Sequence, residues 1–165
     1  MKKFIFLAVL TIATALGASA EKGNISLGAQ FAYASKNSMA GLGLQLQVEP
    51  VNRFRIAPEF MYYFKNDGVS AINANVNLHY VIPTSSSFAI YPLLGFTYAN
   101  YKYDAGIFGD GNVSRCGANV GVGAEYRIQD RLYFFSEECF QIIEDFNQSV
   151  TVLGLKYSFK QSAPP

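Results

Sequence analysis

The segment Ser149–Phe159, S-V-T-V-L-G-L-K-Y-S-F, decides how the rest of the chain reads. Its odd positions, Thr151, Leu153, Leu155, Tyr157 and Phe159, form an apolar row ending in two aromatic rings, whereas Gly154, Lys156 and Ser158 are small or polar. Period-two alternation of this kind marks a β-strand with one oily and one polar face. The length matches the roughly 9–11 residues that a tilted strand needs to cross a bilayer. Such a strand requires partners on both edges, and in hydrocarbon no water satisfies an open edge, so the sheet must close on itself. The segment predicts a barrel with its apolar row facing outward. The opposite arrangement, a soluble sandwich or a soluble barrel holding an apolar ligand in its cup, would place the same row in a dry centre.

Seven more alternating segments precede it. Asn24 to about Ser35 sets Ile25, Leu27, Ala29, Phe31 and Tyr33 against Ser26, Gly28 and Gln30. Met39–Glu49 sets Leu42, Leu44, Leu46 and Val48 against Gly41, Gly43, Gln45, Gln47 and Glu49. In the third, Phe54, Ile56, Pro58, Phe60, Tyr62 and Phe64 oppose Arg55, Ala57, Glu59, Met61, Tyr63 and Lys65; Pro58 removes a ladder hydrogen bond and predicts a local bulge. The fourth places Ile72 to Ile82 against Asn73, Asn75, Asn77 and His79. The fifth, Phe88 to about Tyr101, is apolar on both faces and is read with Ile90, Leu94, Phe96 and Tyr98 outward and Tyr91, Gly95 and Thr97 inward. The sixth sets Ala118, Val120, Val122, Ala124, Tyr126 and Ile128 against Arg115, Gly117, Asn119, Gly121, Gly123, Glu125 and Arg127. The seventh, Arg131 to about Ile142, puts Leu132, Phe134, Ser136 and Phe140 outward and Tyr133, Phe135 and Glu137 inward, which leaves Glu138 facing lipid.

Turns at Asn37, Pro50, Asn66, Pro83, Gln129 and Asp145 are short, and the longest connection, residues 102–113, is rich in Gly and Asp. The expected fold is all-β, an eight-stranded antiparallel up-and-down transmembrane β-barrel. Tyr33, Tyr62, Tyr98 and Tyr101 are expected at one interface, and Tyr80, Tyr126, Tyr157 and Phe159 at the other, as an aromatic girdle.

Ahead of the barrel, Lys2 and Lys3, the apolar run Phe4–Leu16 and the small-residue site Ala18-Ser19-Ala20 read as a cleaved secretory signal over residues 1–20. Residues 21–165 are then one barrel domain. No Cys follows the cleavage site, which disfavours a lipid anchor. The formal charge of +1 becomes −1 without the two leader lysines, so no basic excess points to nucleic acid. Export permits a disulfide between Cys116 and Cys139. A turn at Gln129-Asp130, however, pairs Cys116 with a residue near Ile143, beyond bridging distance of Cys139, and this register favours free thiols.

The hairpin from Gly117, G-A-N-V-G-V-G-A-E-Y-R-I-Q-D-R-L-Y-F-F-S-E-E, resembles the penultimate hairpin of small bacterial outer-membrane β-barrels, the OmpA/OmpX-like and porin-like group. Gly154-x-x-Tyr157-x-Phe159 resembles the C-terminal signature by which such barrels are recognised for assembly, although here Lys160–Pro165 follow the last aromatic. The resemblance implies the outer membrane of a Gram-negative bacterium, contact with its lipid, and the barrel assembly machinery as a partner during biogenesis. It implies no catalytic residue.

In an eight-stranded barrel side chains fill the interior. Glu49, Arg55, Glu59, His79, Arg115, Glu125, Arg127, Glu137 and Lys156 form the expected lumenal polar network, with charges nearly balanced so that they can pair. Gly41, Gly43, Gly117, Gly121 and Gly123 are expected to accommodate large neighbours. The functional reading is a non-enzymatic structural or surface-interacting barrel; the alternative is a narrow channel for ions or small solutes. His79, the sole histidine, has no nucleophile beside it, no metal-ligand spacing is present, and no cofactor is expected. Residues 102–113, with Y-D-A-G-I-F-G-D-G-N at their centre, are the candidate loop for an extracellular ligand and lack the EF-hand pattern.

Overall fold

A computed structural model describes residues 23–103 and 111–159; the expected leader, the middle of the 102–113 loop and the tail after Phe159 lie outside the described residues. The described residues form strands β1 (Asn24–Ala34), β2 (Met39–Val51), β3 (Phe54–Asn66), β4 (Val69–Tyr80), β5 (Phe88–Tyr103), β6 (Gly111–Gln129), β7 (Leu132–Ile143) and β8 (Gln148–Ser158), with no helix among them. Beyond β4 the pair Ile82–Pro83 rejoins the ladder with β5. Each strand pairs antiparallel with its neighbour in sequence, and β8 returns to β1, Ser26 opposite Ser158 and Ala34 opposite Val150. The sheet is therefore a closed eight-stranded barrel with no free edge. An even strand number puts the start of β1 and the end of β8 at one end, with the Asn52, Val81–Ser87 and Asp130 turns; the other four connections lie at the opposite end.

Turn chemistry accounts for the tight hairpins. Asp67 and Gly68 have φ of 46° and 77°, the left-handed pair that closes a two-residue hairpin compatible with strand twist. Two sequence expectations need correction here. Pro58 carries no bulge: it sits opposite Val76 in an unbroken register with β4. The β2 ladder simply lapses between Gln45↔Glu59 and Val48↔Ile56, so the missing donor is absorbed by dropped hydrogen bonds rather than by an inserted residue. The register shift lies further along, between Val48 and Val51, beside the Asn52 turn. The 102–113 connection is also shorter than its composition suggests, since Lys102 pairs with Asn112 and Tyr103 with Gly111. Cross-strand polar contacts stabilise this extension: the Asn100 amide donates to Asn112 Oδ1 at 2.7 Å and to Ser114 Oγ at 2.8 Å.

The faces divide as the alternation dictates. Leu44, Phe60 and Leu155 are 59, 53 and 48% exposed on the outer wall, whereas Arg55 and Glu125 are 6 and 8% exposed inside. This is the inverse of a soluble barrel. Outward aromatics cluster toward both ends, with Phe54 against Tyr80 at 5.1 Å and Tyr157 against Phe159 at 5.7 Å near one, and Tyr62 against Phe64 at 5.7 Å near the other. Tyr101 does not belong to that girdle. It continues the inward row Tyr91–Leu93–Thr97–Ala99 and is fully buried.

The interior is not polar throughout. Ala32, Ala34, Met39, Met61, Tyr63, Ala71, Ala99, Tyr101, Ile143, Val150 and Val152 form an apolar cluster in the half opposite the termini, capped by Phe146, whose ring stacks on Tyr101 at 4.5 Å. The inward face of the last strand thus runs from Gln148 through Val150 and Val152 before turning polar again at Lys156. Cys116 is exposed on the outer wall and Cys139 buried within, both as free thiols. In folded protein a maleimide is expected to modify Cys116 and to reach Cys139 only after unfolding, which peptide mass spectrometry would reveal; equal labelling of both would contradict the facing of β7.

Candidate functional site: the filled lumen

The polar half of the interior is built around Glu125. Its β6 position faces inward opposite Ala89 and Phe135. Arg55 on β3 reaches across the barrel and donates through both terminal nitrogens, at 2.9 and 3.1 Å. Lys156 on β8 donates to the same carboxylate at 2.5 Å and to Gln47 Oε1 at 2.8 Å. The pairing is the bidentate fork that guanidinium and carboxylate geometry favours. Aromatic rings flank both cations: Arg55 lies 5.5 Å from the Tyr91 ring centre and Lys156 5.3 Å from that of Tyr133.

One layer further in, two carboxylates are held by uncharged donors. Glu59 accepts from Gln30 Nε2 at 2.9 Å, Gln45 Nε2 at 3.3 Å, Asn77 Nδ2 at 3.5 Å and Asn75 Nδ2. Glu137 accepts from the Tyr91 hydroxyl at 2.8 Å and from Gln45 Nε2 at 3.5 Å. His79 stacks on Tyr91 with ring centres 4.7 Å apart, and neither ring nitrogen has a protein partner among the described residues. A histidine so placed packs through its ring face against Tyr91.

Six of the nine expected network residues, Arg55, Glu59, His79, Glu125, Glu137 and Lys156, therefore meet in one buried assembly. Glu49 and Arg127 do not enter it. They stand at the rim nearest the termini, where Glu49 Oε1 accepts from the Arg53 amide at 3.2 Å and Arg127 donates to the Ser86 carbonyl. Arg115 is misplaced in the expected network. It lies ten positions along β6 from Glu125, roughly 33 Å of extended strand, and makes a 3.7 Å pair with Asp145 at the opposite mouth. Facing alone assigns a side, and it does not assign a height along the barrel.

Contacts that the alternation left unassigned include Gln148, whose amide donates to Gln141 Oε1 at 2.9 Å and to the Tyr101 hydroxyl at 3.4 Å. Gln141 follows outward Phe140, and the parity of β7 would have found it. The three residues of the expected assembly signal divide by face. Gly154 points inward, where an added Cβ would lie 2.4 Å from Phe135 Cζ, so its absence of a side chain is what seats that ring. Tyr157 and Phe159 point outward, edge to face. Among the described residues no group of His, Cys, Asp and Glu is arranged to hold a metal.

No protein-family model matches the sequence, and no curated protein matches it. Solved structures do share its fold. The N-terminal β-barrel domain of Pseudomonas aeruginosa OprF aligns with a TM-score of 0.72 at 15% identity, covering 82% of this chain and 97% of that one. Neisserial surface protein A aligns at 0.64 and 16%, covering 83% and 97%. The attachment invasion locus protein Ail of Yersinia pestis aligns at 0.58 and 15%, again covering 83% and 97%. At these identities the likeness is one of fold: an eight-stranded barrel of the outer-membrane type.

Proposed function

We propose that the chain is an integral protein of a bacterial outer membrane, a closed non-enzymatic barrel that presents its loops to the outside and conducts nothing. The inside-out distribution of side chains carries this reading. An outer wall of Leu, Phe, Val and Tyr is suited to hydrocarbon, and the Arg55–Glu125–Lys156 network and the Tyr101–Phe146 stack fill the lumen at two levels, which supports a closed interior. The outer-membrane proteins that share the fold support the location. Lipid is the standing partner, and the assembly machinery is the partner in biogenesis through Gly154, Tyr157 and Phe159. Any extracellular ligand would meet the loops, with residues 102–113 the first candidate.

Planar-bilayer recording tests the closed lumen. Purified, refolded protein is expected to give no single-channel steps, whereas reproducible openings would favour the channel alternative. A second expectation concerns Glu138, the one carboxylate in the outward rows between the aromatic ends among the described residues. Its carboxylate is shielded by Thr151 Oγ1 at 2.6 Å and by Ser149 Oγ. Lipid-facing charges destabilise small barrels, acids less than bases. Glu138→Leu is therefore expected to raise stability by about 1 kcal/mol in urea titrations in lipid vesicles. A loss of stability would show that the two hydroxyls more than offset the cost of the charge, or that the wall does not face lipid.

A further inference from the structure

The end of the barrel that carries the termini opens into a cavity of about 400 Å³ above the Arg55–Glu125–Lys156 floor. Its wall adds Arg53, Arg127, Glu49 and the serines of the Val81–Ser87 turn. Four cations thus face two carboxylates. Glu125 is saturated by the floor, and Glu49 is engaged by the Arg53 amide. The guanidinium forks of the rim are largely unspent. Arg127 donates to the Ser86 carbonyl, and among the described residues no hydrogen bond or ion pair engages the Arg53 side chain. Ser85 Oγ accepts from the amides of Ser87 and Phe88, which leaves its own proton to donate elsewhere.

Arg53 is also the unexpected residue for its position. It sits in the two-residue turn between β2 and β3 with φ of 72°, the left-handed region that suits Gly or Asn and that a long side chain enters only at a cost. Backbone strain held at the lip of a concave, basic site is the kind of outlier that points to function. Two guanidinium forks lining one basic mouth match carboxylate and phosphate oxygens. We propose that this vestibule binds a small soluble polyanion, bearing carboxylate or phosphate groups, between Arg53 and Arg127, with Ser85 as a further donor. The site lies inside the ring of strands, so the ligand comes from the aqueous compartment and not from the lipid-facing wall.

Calorimetric titration of the refolded full chain in detergent micelles tests this, with pyrophosphate and citrate as probes and sucrose as an uncharged solute. Both anions are expected to bind one per barrel and more weakly as salt is raised, and sucrose is expected not to bind. Arg127→Gln, which keeps a donor for the Ser86 carbonyl, should weaken binding at least tenfold. Arg53→Gly should do the same while raising the unfolding temperature, because glycine relieves the left-handed turn; an arginine with a merely structural role would lower it. Lys36→Gln with Lys102→Gln, at the other end, should leave affinity unchanged. Absent binding of both anions, equal uptake of sucrose, or undiminished affinity in an Arg53→Gly/Arg127→Gln double variant would overturn the proposal.

Discussion

Replacing Glu125 by alanine is expected to cost the barrel about 3–5 kcal/mol, read as a fall in free energy of unfolding in lipid vesicles. The carboxylate is the shared acceptor of Arg55 and Lys156, all three nearly excluded from solvent. Its removal leaves two buried cations facing each other with Gln47 as the remaining close acceptor. The size of the effect comes from that orphaning rather than from the intrinsic worth of the pairs, since the attraction of a buried pair is largely spent on desolvating it. The corollary is sharper. A triple variant, Arg55→Met/Glu125→Leu/Lys156→Met, should lie within about 1 kcal/mol of the parent or above it, because it removes the charges together. A mild Glu125→Ala phenotype, under about 1 kcal/mol, would mean that water reaches the network and screens it.

The second large effect is steric. Phe135 is fully buried, and its ring lies over the backbone at Gly154. Phe135→Ala should cost about 3–5 kcal/mol through the cavity it leaves. Gly154→Ala should cost about 1–3 kcal/mol, because the new methyl would sit 2.4 Å from the ring and 2.9 Å from the Ala29 carbonyl. If the ring is the main obstacle, the double variant will be more stable than the sum of the singles by over about 1 kcal/mol. The same cycle separates packing from assembly. Should Gly154 act chiefly as a recognition signal, Gly154→Ala in a Phe135→Ala background would add little loss of stability in vitro and still impair insertion in cells; should it act as a seat for the ring, it would add little to either. Strict additivity of the two losses would refute the proposed fit.

The alternation made most of the strand faces legible, with Tyr101 and the buried Val48 as exceptions. Glu125, Arg55, Lys156, Asn77 and the β7 row all face the side that period two assigns, because an error of one residue would invert a whole strand. Height along the barrel was far less legible. Arg115 and Glu125 share a face yet belong to opposite mouths, since pairing depends on stagger between strands that alternation does not encode. The apolar half of the lumen was hidden for a related reason: Val150, Val152, Met61 and Tyr63 follow the inward parity but look like outward residues by type. At 102–113 a Gly- and Asp-rich composition masked a continuing ladder, whose hydrogen bonds involve the backbone and not the side chains that suggested a loop. The vestibule was invisible in sequence, because Arg53 signals nothing until its φ is known.

The stacked Tyr101 and Phe146 pair has a consequence for communication. It forms an apolar stopper beneath the connections at that mouth, with Lys36 Nζ 4.6 Å from the centre of the Phe146 ring. Among the described residues hydrogen bonds run inward from the Tyr101 hydroxyl through Gln148 to Gln141 and Asn73, and none continues from there to the charged cluster below. A displacement at this mouth would therefore reach the charged cluster through side-chain packing and not through an unbroken wire of hydrogen bonds.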